Sequence, residues 1–158
     1  IAQELGEKNN FADENRALTG DGRNRMRDAA KGLAKLGVQV DLILTSPLVR
    51  AVETADIVAQ ELGLKKGDIK QTPNLSPGAS QDDLFSEIKS HSASAIALVG
   101  HQPDLGDLVS RMVAGKGGLA LQLRKGGVCC VQVAQTVPSL RGDLIWLATP
   151  KQLRSFAK

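Results

Sequence analysis

Five apolar residues in a row, Ala95-Ile96-Ala97-Leu98-Val99, are broken at once by Gly100-His101-Gln102-Pro103-Asp104, and this stretch constrains the fold more than any other. With no polar alternation, the run predicts a strand buried on both faces, the kind that parallel α/β sheets require. Pro103 bars further ladder pairing, and Asp104 is placed to cap an apolar helix over 105–114. His101 therefore stands in a strand-to-helix turn. In open α/β sheets such turns lie at the carboxyl edge, where ligands bind. A loop histidine more often only bonds a neighbouring backbone group, so a site here requires a partner from a second stretch.

A second stretch repeats the pattern. Leu42-Ile43-Leu44-Thr45 reads as a short buried strand, Ser46 as an N-cap and Pro47 as the first helical residue. The helix that follows turns Leu48, Ala51, Val52, Ala55, Val58, Ala59 and Leu62 inward and ends at Gly63. Arg50 then lies in the first turn of a helix that begins at a strand's carboxyl end. Upstream, 1–18 is polar and loop-like. Thr19 caps an expected helix over 21–36 with Met26, Ala29, Ala30 and Leu33 on one stripe, and with Arg23, Arg25, Arg27, Lys31 and Lys35 on a solvated face.

Between the two turns, 65–80 is a connector with a short strand at 69–71, and Ser80 with Asp83 opens a helix that buries Leu84 and Ile88. That helix ends near His91, which carries no chemistry beyond a favourable charge at a helix end. The glycine-rich turn at 115–118 lies between a helix and a strand, so it is not a phosphate loop. Strands at 128–133 and 143–148 are close enough in sequence to pair antiparallel, and Pro150 stops the second. The expected architecture is a three-layer α/β/α sandwich with a mostly parallel central sheet and an antiparallel addition from the C-terminal strands.

At 158 residues the chain suits a single domain over 1–158. Aromatics are 3%, with no tyrosine, which argues against a nucleic-acid site built on base stacking. The net charge of +3 is spread among alternating signs, so it reads as a solvated surface with room for one anion pocket. No apolar run approaches a membrane span, so neither nucleic acid nor membrane is an expected partner. Cys129 and Cys130 are adjacent in a strand-like run and point to opposite faces, which makes neither a disulfide framework nor a metal site. A reducing cytoplasm is the expected location. His91 and His101 lack a ligand-spaced carboxylate or thiol set, and no metal or cofactor is expected.

Arg50 and His101 would open at the same sheet edge, where helix N-termini present free N–H groups and a guanidinium can grip two phosphate oxygens. Such a pocket suits a phosphoryl group. Leu44-Thr45-Ser46-Pro47-Leu48-Val49-Arg50-Ala51-Val52-Glu53-Thr54-Ala55 and Val99-Gly100-His101-Gln102-Pro103 resemble the second and third signatures of the histidine phosphatase (phosphoglycerate-mutase-like) superfamily. Arg16-Ala17-Leu18-Thr19-Gly20-Asp21-Gly22 resembles the Arg-x-Leu-Thr-x-x-Gly segment of the SixA-type phosphohistidine phosphatases.

That resemblance implies a first central strand ending in Arg-His-Gly, whose histidine attacks phosphorus, and Ile1 would follow its glycine. The nucleophile is then absent from the numbered chain, and the sheet is expected to show a gap or to be filled by residues outside this numbering. The resemblance also implies Arg50 as a phosphate clamp and His101 as a group that stabilises charge on the transferring phosphoryl. Arg16 becomes a further anion contact, and the backbone N–H of Gln102 is expected to point inward. Asn74 stands where relatives acting on alcohol phosphates keep an acid, and an amide cannot protonate a leaving alkoxide. The implied activity is removal of phosphate from a phosphohistidine-containing protein, such as a phosphotransfer domain, through a phosphoenzyme. The alternatives are a phosphatase of small phosphate esters and, if the numbered chain is complete, a non-catalytic phosphate-binding module.

Overall fold

A computed structural model describes residues 13–115, 118–137 and 139–158. The expectations for 1–12 and for Lys116 and Gly117 lie outside those residues. The elements run α1 (Gly20–Lys35), β1 (Leu42–Thr45), α2 (Val49–Leu62), β2 (Ile69–Gln71), α3 (Gln81–Ser90), β3 (Ile96–Val99), α4 (Asp104–Ala114), β4 (Val128–Gln135), β5 (Arg141–Ala148) and α5 (Pro150–Phe156).

β1 pairs in parallel with β2 on one side and β3 on the other, while β4 and β5 form a separate antiparallel pair. Alternation along β1 divides the apolar side chains between two cores. Ile43 faces Met26, Ala29, Ala30 and Leu33 of α1, Ala55 and Val58 of α2, and Leu153 of α5. Leu42 and Leu44 face Leu84 and Phe85 of α3 and Leu108 and Met112 of α4. The result is the three-layer sandwich, with α1, α2 and α5 on one face of the sheet and α3 and α4 on the other.

β3 differs from expectation in depth. β1 is buried at every position, whereas Ile96, Ala97, Leu98 and Val99 of β3 each remain half-buried. Their side chains do alternate between the two cores, Ala97 and Val99 to one and Ile96 and Leu98 to the other. β1, however, carries ladders on both edges, and β3 carries one among the described residues.

Thr19 caps α1 by accepting from the Gly22 N–H at 2.9 Å, as its spacing predicts. Gly63 closes α2 at φ +75°, a conformation that glycine adopts without strain. Two helix starts depart from the sequence reading. α2 begins at Val49 rather than Pro47, because Leu48 stays extended while the Ser46 hydroxyl accepts from the Leu48 N–H at 3.3 Å. Asp104 is the first residue of α4 instead of its cap, and its carboxylate accepts from the Gly78 N–H at 3.2 Å.

β5 ends at Ala148, ahead of Pro150 as expected, and a further helix that the sequence reading did not include begins there. Thr149 accepts from the Gln152 N–H, and the Gln152 side chain accepts from the Thr149 N–H in a capping box, with Pro150 at the first helical position of α5. α5 packs against α1 at Gly32, where a Cβ would fall 2.0 Å from the Leu153 carbonyl oxygen. Lys35 adds a tether by donating to the carbonyls of Ala157 and Lys158 at 3.1 and 2.7 Å.

Candidate functional site

The register of β1 against β3 builds the floor of the site. Thr45 pairs with Val99, and the Ser46 N–H donates to the Val99 carbonyl at 2.9 Å, so the two strands end side by side. Thr45 and Ser46 are fully buried. What leaves each strand end is a turn into a helix, and those turns bring Arg50 and His101 together. Arg50 Nη2 lies 3.5 Å from His101 Nδ1, and His101 Nε2 lies 2.8 Å from Ser46 Oγ.

Arg16 reaches the same cluster from the segment before α1. A single carboxylate links it to Arg50: Asp13 Oδ1 accepts from Arg16 Nη1 at 3.1 Å and Asp13 Oδ2 from Arg50 Nη2 at 3.2 Å. Arg50 Nη1 also donates to the Asp13 carbonyl at 2.7 Å. Arg16 Nε is buried with no hydrogen-bond partner among the described residues, an uncommon state for a charged donor. The three groups singled out in the sequence as clamp, stabiliser and anion contact thus converge on one place. An acidic oxygen pair already sits between two of them.

Gln102 is exposed, and its side-chain amide lies beside Gly106 in the first turn of α4. The Gln102–Pro103 peptide is cis.

The electrostatics of His101 follow from its surroundings. Partial burial, and then the Arg50 guanidinium, hold its ring below the ordinary value of 6.5, while Asp104 and Asp13 pull the other way. The ring is neutral near pH 7. A small cavity opens beside it, lined by Asn74, Leu75, Ser76, Asp104 and Leu105 among others. The Asn74 amide donates to Glu87 at 2.8 Å, and the Thr72 hydroxyl donates to the same oxygen at 2.6 Å, so this loop is fixed with its amide turned to α3.

Four residues that the sequence reading left out shape the site. Asp13 joins Arg16 to Arg50, Ser46 holds the His101 ring, and Asp104 lines the cavity next to it. Glu53 accepts from the Leu18 N–H at 2.6 Å and pairs with Arg23, which ties the Arg16 segment to α2. Arg23 keeps a side chain 42% exposed on the outer face of α1 while pairing with Glu53. The Glu-Thr of the Arg-Ala-Val-Glu-Thr-Ala run is scaffold: Thr54 donates to the Arg50 carbonyl at 2.7 Å, within α2. His91 ends α3, remote in the chain from these groups, with its Nε2 buried and unpartnered among the described residues. Among the described residues no three His, Cys, Asp or Glu side chains converge as a metal site.

Known proteins share both the sequence pattern and the fold. An uncharacterized protein of Picosynechococcus sp. is 34% identical over 147 residues, which cover 89% of this chain and 87% of that protein. The structure of the protein histidine phosphatase SixA complexed with tungstate superposes with a TM-score of 0.82 at 21% identity, covering 97% of this chain and 94% of that one. A putative phosphohistidine phosphatase SixA from Agrobacterium tumefaciens superposes at 0.74 and 21% identity, over 94% and 92% of the two chains. Residues 7–131 match the histidine phosphatase superfamily (branch 1), and the chain belongs to that family.

Proposed function

We propose that the chain is a SixA-type protein phosphohistidine phosphatase, active in the cytoplasm as a single domain, which removes phosphate from histidine-phosphorylated signalling proteins. The observation that carries the reading is the convergence of Arg16, Arg50 and His101 around the Asp13 carboxylate, an arrangement that supports an oxyanion-binding role for these groups. Phosphoryl transfer asks a protein mainly for an in-line nucleophile and for positive groups around the equatorial oxygens. Arg50 and Arg16 grip those oxygens, and His101 stabilises the charge that develops on them.

The covalent step belongs to a histidine nucleophile, as in a two-step reaction through a phosphoenzyme. Neither His91 nor His101 is given that role. Asn74 at the cavity cannot serve as an acid, which suits an imidazole leaving group better than an alkoxide.

A second reading, a phosphatase of small phosphate esters, is favoured by one observation: the Asp104 carboxylate lines the cavity with His101. Turnover of a phosphohistidine protein and of a panel of sugar phosphates by the full-length protein separates the two. The first reading expects phosphate release from the phosphohistidine protein, abolished by Arg50→Ala and reduced at least about tenfold by His101→Ala, with Asp104→Asn close to wild type. Faster turnover of sugar phosphates, lost in Asp104→Asn, would favour the second. No release from any substrate leaves a phosphate-binding module.

A further inference from the structure

The two nitrogens of the His101 ring meet different partners. On one side, Nδ1 faces Arg50 Nη2 at 3.5 Å, and a guanidinium is a donor only, so Nδ1 presents a lone pair. On the other side, Nε2 lies 2.8 Å from Ser46 Oγ, which already accepts one N–H, from Leu48, and keeps a second lone pair. With Nδ1 unprotonated toward Arg50, a neutral ring carries its proton on Nε2, where Ser46 Oγ is placed to accept it. Ser46 itself cannot shift. It is fully buried, its N–H is bonded to Val99, and it lies between a strand and a helix.

The charged groups that face the ring come from each surrounding element: Arg50 from α2, Asp104 from α4 and Asp13 from the segment before α1. Asp13 and Arg50 are ion-paired to one another, so a phosphoryl group that takes Arg50 brings fresh negative charge to the Nδ1 side of the ring. Opposite charge within a few ångströms favours the protonated imidazole.

We infer that Ser46 is a positioning residue that fixes the tautomer of His101, holding Nδ1 toward Arg50 so that the ring takes one proton from solvent at Nδ1 when a phosphoryl group enters. The ring then becomes an imidazolium with Nε2–H still on Ser46 and Nδ1–H on a phosphoryl oxygen. The inference rests on the phosphate-site reading above. It adds that His101 is uncharged in the empty site and charged in the loaded one, and that a buried serine decides which nitrogen responds.

Ring-nitrogen NMR of this chain tests it, since His91 and His101 are the two histidines to assign. The free protein at pH 8 is expected to show His101 as the single Nε2–H tautomer. Saturating inorganic phosphate is expected to raise its titration midpoint by at least about one pH unit. Ser46→Ala is expected to lose the single tautomer and to bind phosphate about three- to tenfold more weakly, as loss of one buried acceptor implies. An Nδ1–H tautomer in the free wild type overturns the inference, whether or not Ser46→Ala folds. An unmoved midpoint with phosphate bound overturns it as well, as does a Ser46→Ala variant that keeps both tautomer and affinity. Absence of phosphate binding overturns the phosphate-site reading instead, and is distinguishable because the tautomer is read with no phosphate present.

Discussion

Asp13 is one exposed carboxylate shared by two guanidinium groups, and on the proposed reading an incoming phosphoryl group displaces it or crowds it. That exchange taxes binding by whatever fraction of molecules hold the pair closed. Asp13→Asn is therefore expected to tighten inorganic phosphate by about three- to tenfold, in line with the modest worth of a partly solvated ion pair. Calorimetric titration of both proteins checks it, and weaker binding by the variant would show instead that Asp13 orients the arginines. His101 gives a second expectation at this scale. Its folded value lies below 6.5, so the unfolded chain binds more protons as the pH falls past 6.5. The stability it contributes is fully present above 6.5 and is lost as the pH falls through the folded value. Thermal unfolding at a series of pH values should show that loss in the wild type and a flatter profile in His101→Gln. Arg50, His101 and Arg16 were legible in the sequence because each sits in a distinctive local run. Asp13 and Ser46 were not, because what makes each matter is a partner 37 or 55 residues away.

α5 shows how one residue can be read in two opposite senses. Proline ends a strand, but it also opens a helix, and the Thr149-x-x-Gln152 pairing that decides between the two was present in the sequence. Thr149→Ala is expected to cost about 1 kcal/mol by urea denaturation, the usual worth of an N-cap. Gly32→Ala should cost more, about 2 kcal/mol or above, because its Cβ meets backbone at Leu153 that cannot swing aside. The helix spans of α1 and α3 and the short strand β2 followed from caps and periodicity alone. The start of α2 did not, since the Ser46 hydroxyl is committed to a histidine in the turn after another strand.

The layered arrangement followed from alternating strand and helix patterns, including the antiparallel pair at the end. Relative burial of β1 and β3 did not, because it depends on how many ladder partners each strand finds. The two cores meet only across the sheet, so substitutions in them should act independently. Leu33→Ala on one face and Leu84→Ala on the other are each expected to lose about 2–4 kcal/mol. Their double variant should lose the sum within about 0.5 kcal/mol, measured by denaturant unfolding of the four proteins. A shortfall from that sum would show that the faces communicate through β1.

β1 is paired on both edges and covered on both faces, and the Ser46 N–H continues its ladder to Val99. Amides in such a position trade their hydrogens for deuterium only when the whole molecule opens. The nitrogen that anchors the base of the pocket should thus be among the slowest clocks in the protein, while Asp13 on the opposite wall can let go and return on the timescale of a surface side chain. Incoming phosphate would meet one wall that waits and one that yields.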